Sequence, residues 1–123
     1  MDTFEILSQL CSAAGVSGAE GSAAEAAAKL LEKYGEVTLD NALGSVICKV
    51  GSWEDGKPVM LLDAHIDEIG MIVTYITEDG FLKISGCGGL DTRLLLAQQV
   101  TVYGKEKLTG IVTSTPPHLE KDS

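Results

Sequence analysis

The sequence predicts an α/β chain whose texture changes near residue 68, and three features point that way. Two helix-period segments fill the first 35 residues, each closed by a glycine. A continuous apolar run, Val59-Met60-Leu61-Leu62, then leads straight into Asp63-Ala64-His65-Ile66-Asp67-Glu68. Beyond it, short alternating segments and tight turns replace helical periodicity for the rest of the chain. With 123 residues, the chain has the length of one ordinary domain or of a piece of a larger one. The change of texture divides it into residues 1–68 and 69–123.

Taken in order, Asp2 with Glu5 three positions on predicts a helix cap, and Phe4, Leu7, Leu10, Cys11 and Ala14 follow at helical spacing until Gly15. Ser17 and Glu20 repeat the cap spacing ahead of an alanine-rich helix in which Ala23, Ala27, Leu30, Leu31 and Tyr34 share one face, with Gly35 as its stop. Val37 and Leu39 alternate with polar residues, residues 40–44 have turn chemistry, and residues 45–50 are rich in β-formers, which together predict a hairpin. Residues 51–58 make a polar surface loop. The run at 59–62, apolar at every position, predicts a short strand covered on both faces. Segments 69–76 and 81–84 flank Asp79-Gly80, a two-residue hairpin signal. Segments 100–103 and 108–112 flank a turn at 104–107. The second part holds fewer strands than a closed barrel uses, so an open sheet edge is expected.

Composition narrows the function classes. Nine Lys and Arg against eighteen Asp and Glu leave a net charge of −9. Nucleic acid and anionic membrane surfaces repel such a chain, so neither is expected as a partner. A composition 45% hydrophobic and 22% charged, with 14 glycines, reads as soluble and globular. Asp2 and Glu5 stand where a secretory signal would be basic, and no apolar stretch approaches the roughly 20 residues of a membrane helix. A cytoplasmic chain is expected. Cys11, Cys48 and Cys87 are odd in number and widely spaced, which predicts reduced, buried thiols rather than disulfides or a cysteine zinc site.

The chemistry concentrates where the apolar run ends. In open α/β sheets reactive groups gather at the carboxyl ends of strands, and His65 and Asp67 would project to one side there, roughly 6 to 7 Å apart along an extended backbone. His65 could bind a divalent metal through one ring nitrogen while Asp67 orients it; equally, His65 could be a hydrogen-bonded structural residue. Asp63 could join the site or accept backbone hydrogen bonds from a buried position. Glu68 points to the opposite face and reads as structural or solvent-facing. Gly86-Cys87-Gly88-Gly89 lacks a phosphate-loop pattern and predicts a bend or bulge between strands. Cys87 has no sign of a nucleophile, Arg93 is expected to pair locally with Asp91, and His118, after Pro116 and Pro117, reads as a solvated or partner-contacting side chain.

Three stretches in order, residues 14–20 (AGVSGAE), 62–70 (LDAHIDEIG) and 88–93 (GGLDTR), with Gln98, Val100 and Pro116-Pro117-His118, resemble the M42 family of metallo-aminopeptidases, whose members are also labelled glutamyl aminopeptidases or endoglucanases. The similarity runs along essentially the whole chain. It implies a cytoplasmic exopeptidase that removes N-terminal residues from peptides with two divalent metal ions, zinc or cobalt. It also implies that His65 binds one metal and that Asp67 supports the catalytic centre. The fold it implies is the N-terminal part of a zinc-peptidase-like α/β catalytic domain over residues 1–68, then part of an inserted β-rich, PDZ-like dimerisation domain over residues 69–123. Family members assemble from dimers into dodecamers, so a homo-oligomer is expected. The bridging Asp, the general-base Glu and the remaining ligands belong to later segments of the family, beyond Ser123. Only one ligand is therefore expected here, and the 123-residue chain alone is expected to be inactive. The competing expectation is a non-catalytic interaction module that pairs through its β-rich half.

Overall fold

A computed structural model describes residues 2–40 and 42–114. The chain divides into two compact units, Met1–Gly88 and Gly89–Ser123.

The first unit opens with α1 (Thr3–Ser12), held by the predicted capping box: the Glu5 backbone N–H donates to Asp2 Oδ1 at 2.8 Å and the Asp2 N–H donates to Glu5 Oε2 at 3.2 Å. A loop leads to α2 (Gly21–Leu31), whose buried residues are Ala23, Ala24, Ala28 and Leu30. Ala27 and Leu31 are half-buried, but Tyr34 lies past the helix end, exposed, with Lys33 Nζ 4.7 Å from its ring centre. Small alanine side chains let α2 lie close against α1 and against the hairpin of β1 (Glu36–Leu39) and β2 (Val46–Lys49). That hairpin is antiparallel, with Glu36 opposite Lys49 and Leu39 opposite Val46. Its turn is secured by the Asp40 carboxylate, which accepts the N–H groups of Ala42 and Leu43 at 3.1 Å.

Ser17 is not the cap of α2. Glu20 occupies that position without a side-chain cap bond, and its Oε1 instead accepts the Gly18 N–H at 2.6 Å. One orphan donor in the first turn, the Ala23 N–H, is satisfied by the backbone carbonyl of Ala14 at 3.2 Å. The loop therefore caps the helix with main chain, and the Ser17 hydroxyl is left for another partner.

The run at 59–62 forms no strand, contrary to its apolar pattern. Val59, Met60, Leu61 and Leu62 are 63%, 84%, 86% and 87% exposed. A strand covered on both faces needs neighbours on its edges and faces, and among the described residues none pairs with this run. The last hairpin of the unit joins β3 (Gly70–Ile76) to β4 (Leu82–Cys87), with Gly70 opposite Cys87, Ile76 opposite Leu82 and a register shift between Val73 and Tyr75. Gly86 and Cys87, expected in a bend, continue β4; the chain turns one residue later, at Gly88. All three cysteines are free, but Cys11 is exposed rather than buried and Cys48 and Cys87 are half-buried.

In the second unit Asp91 caps a 3-10 turn at Thr92–Leu94, ahead of the antiparallel pair β5 (Gln99–Tyr103) and β6 (Lys107–Ile111). Every sheet among the described residues is two-stranded and antiparallel, so strand edges are open. No described helix is long and apolar enough to cross a membrane. Pro116, Pro117 and His118 lie outside the described residues.

Two leucines separate the core from the exposed run. Leu30→Ala should lower stability by about 2–3 kcal/mol in urea denaturation, whereas Leu61→Ala should stay within about 0.5 kcal/mol of wild type; equal losses would contradict this placement of the core.

Candidate metal centre at His65

The site is assembled where the loop before α2 meets the segment leading into β3. Val16 and Glu68 form a parallel bridge, with the Glu68 N–H donating to the Gly15 carbonyl at 2.8 Å. The Glu68 side chain reinforces it, because Oε1 accepts the Gly15 N–H at 3.1 Å. This is the structural role expected of Glu68. Close approach demands glycine on both sides: a Cβ on Gly70 would run into the Val16 side chain, and one on Gly15 would stand 2.8 Å from Ala23 Cβ.

The bridge brings Ser17 to Asp67, fifty positions away, and its hydroxyl donates to Asp67 Oδ2 at 2.5 Å. The other carboxylate oxygen, Oδ1, lies 3.0 Å from His65 Nδ1, and the Asp67 backbone carbonyl lies 3.2 Å from the same nitrogen. Both of these partners are acceptors, so Nδ1 carries the proton and donates. A neutral ring then presents its lone pair on Nε2, which no described residue engages, and the His65 side chain is 86% exposed. His65 also borders a cleft of about 270 Å³ shared with Leu10, Cys11, Gly15, Ile66 and Glu68. The Ser17 hydrogen bond, and after it that of His65, hold the Asp67 carboxyl below its ordinary value of 3.8.

His65 and Asp67 are thus in contact, as their spacing suggests. Asp63 is exposed rather than buried, in line with the absence of the strand at 59–62 that was expected to lead into it. Ser17 was missed: its partner is remote in sequence and its spacing to Glu20 imitates a helix cap. In the second unit, Arg93 pairs with Asp91 through Nε–H to Oδ1 at 2.9 Å and Nη2–H to Oδ2 at 2.7 Å, the local ion pair expected, which holds the Asp91 carboxyl low. Among the described residues no three His, Cys, Asp or Glu side chains are grouped to hold a metal ion, so His65 fits one ligand position and the rest of a ligand set is not provided by its described neighbours.

The structure thus shows an exposed imidazole held at Nδ1 by a neighbouring carboxylate just before a strand, and comparison with known proteins gives the chain a family. The model for M42 glutamyl aminopeptidase matches residues 44–123. FrvX of Escherichia coli (strain K12) is 35% identical over 118 residues, covering 94% of this chain and 32% of that protein. The lysyl aminopeptidase of Pyrococcus furiosus is 28% identical, covering 100% of this chain and 35% of its own length. Among solved structures, the TET aminopeptidase of Thaumarchaeota archaeon SCGC AB-539-E09 superposes with a TM-score of 0.83 at 34% identity, covering 96% of this chain and 33% of that one. PhTET1-12s, solved as a dodecamer, superposes with a TM-score of 0.80 at 34% identity, covering 98% and 36%. The chain belongs to the M42 glutamyl aminopeptidase family. It spans about one third of the length of the curated relatives it matches.

Two changes probe the geometry. Gly70→Ala should cost about 1–3 kcal/mol in urea denaturation through the clash with Val16. Asp67 titrates lower folded than unfolded, so its contribution to stability is complete above the ordinary carboxylate value and fades as pH falls through the lowered one. In metal-free chain, Ser17→Ala should move the Asp67 carboxyl back up toward that ordinary value, read from its side-chain ¹³C shift; an unmoved titration would contradict Ser17 as the main cause.

Proposed function

We propose that the chain contributes one edge of a two-metal aminopeptidase centre, which in the whole protein removes N-terminal residues from peptides in the cytoplasm. The observation that carries this reading is the His65 ring, with Nδ1–H held by Asp67 and Nε2 facing outward. A carboxylate on the far nitrogen fixes the orientation of a ligating imidazole and raises its basicity. In this reading His65 Nε2 holds one of two divalent ions, zinc or cobalt, and Asp67 is the supporting catalytic carboxylate. Bound divalent ions supply Lewis acidity toward a peptide carbonyl. Asp67 keeps the imidazole in the ligating tautomer, and its negative charge favours cations near the ring. Membership of the M42 family and relatives named lysyl and glutamyl aminopeptidase support the peptidase reading.

We read residues 1–68 as part of the catalytic domain and residues 69–123 as part of an inserted PDZ-like dimerisation domain, with strand-rich texture from Gly70 onward in support. A homo-oligomer built from dimers is the matching assembly, in keeping with the dodecamer of PhTET1-12s. The open hairpin edges favour a second reading, a non-catalytic module that pairs with another subunit through its β-rich half. Light scattering separates the two: a chain that is monomeric alone and ignores a full-length relative argues against the module.

With a single ligand position among the described residues, the 123-residue chain by itself should not turn over aminoacyl p-nitroanilides in the presence of zinc or cobalt. Clear turnover would overturn that expectation. In a full-length version, His65→Ala should lower both bound metal and activity, and an unchanged metal stoichiometry would remove His65 from the ligand set.

A further inference from the structure

We propose that Ser17 is a positioning residue of this centre: by donating to Asp67 Oδ2 it sets the plane of the carboxylate, so that Oδ1 accepts the hydrogen bond from His65 Nδ1–H and Nε2 is kept as the ligating nitrogen. The proposal rests on the metal-ligand reading of His65 and extends it to a residue on a different part of the chain.

A carboxylate anchored at one oxygen turns freely about its last torsion, where the energy profile is broad. Asp67 is anchored at both. Ser17 Oγ lies 2.5 Å from Oδ2 while His65 Nδ1 lies 3.0 Å from Oδ1, so the two donors together define the carboxylate plane. Ser17 itself is held by main chain rather than by its own side chain. Its neighbour Val16 pairs with Glu68, and Gly15 is bonded to Glu68 through both backbone and carboxylate. Ser17 thus enters the site as a fixed donor, one residue beyond a bridge whose other side is one residue beyond Asp67.

The sign of the effect follows from imidazole chemistry. In water the neutral ring prefers its proton on Nε2, which blocks ligation through that nitrogen. Asp67 reverses this preference, and the Asp67 backbone carbonyl, at 3.2 Å from Nδ1, supports it less directly. Loss of the Ser17 hydroxyl leaves the carboxylate with one anchor and the ring with a weaker hold. The tautomers then mix.

The test reads the tautomer in the metal-free 123-residue chain, at a pH where His65 is neutral, from long-range ¹H–¹⁵N correlation of the ring. Wild type should show a protonated Nδ1 and a lone-pair Nε2, with well-separated nitrogen shifts. Ser17→Ala should draw the two shifts together, and Ser17→Thr, which keeps a hydroxyl, should restore the wild-type pattern. The Gly15 and Glu68 amide resonances report whether the loop is still docked. A docked Ser17→Ala chain with the wild-type tautomer overturns the proposal, as does a docked Ser17→Thr chain that has lost it. Zinc added to millimolar excess makes the two readings separable. A wild-type His65 that is protonated on Nδ1 but whose Nε2 ignores zinc counts against the ligand assignment, while a shift of Nε2 that weakens in Ser17→Ala and returns in Ser17→Thr supports both.

Discussion

Two short pieces of chain, residues 13–20 and 66–70, meet through one parallel bridge between Val16 and Glu68, and the arrangement at His65 hangs from that meeting. Without it, His65 and Asp67 would still be neighbours, since they are two positions apart. Their carboxylate would lack its second anchor, because Ser17 would no longer be brought to it. The bridge is reinforced by the Glu68 side chain and made possible by a glycine on each side, so backbone geometry rather than side-chain bulk sets the register.

Much of this was legible beforehand, and the physical reasons are local. The Asp2–Glu5 box, the three hairpins and the Asp91–Arg93 pair are all set by residues within a few positions of one another, where capping, turn chemistry and alternation operate. The contact of His65 with Asp67 belongs to the same class. Ser17 does not. Its spacing to Glu20 satisfies the pattern of a helix cap, and only the fold reveals that a backbone carbonyl from Ala14 already serves the helix end. A side chain released from its local duty by main chain is a signal that no window of sequence contains.

The apolar run at 59–62 misled for the opposite reason. Its pattern marks apolar side chains, yet burial needs partners, and the described residues offer none, so the run stays exposed. The same shortage is visible in the core, where the buried apolar side chains among the described residues are three alanines and one leucine of α2.

That alanine face acts as a spacer between helix and loop. Ala23 Cβ would be only 2.8 Å from a Cβ at Gly15, and the Ala23 N–H is tied to the Ala14 carbonyl, so the loop rests directly on the helix wall. A methyl group at position 23 leaves room for the loop main chain at Gly15, two residues before Ser17. A larger side chain at Ala23 would press first on the loop at Gly15, whose backbone is bonded to Glu68 next to Asp67: the calibre of a helix face bears on a loop that carries a donor to the site.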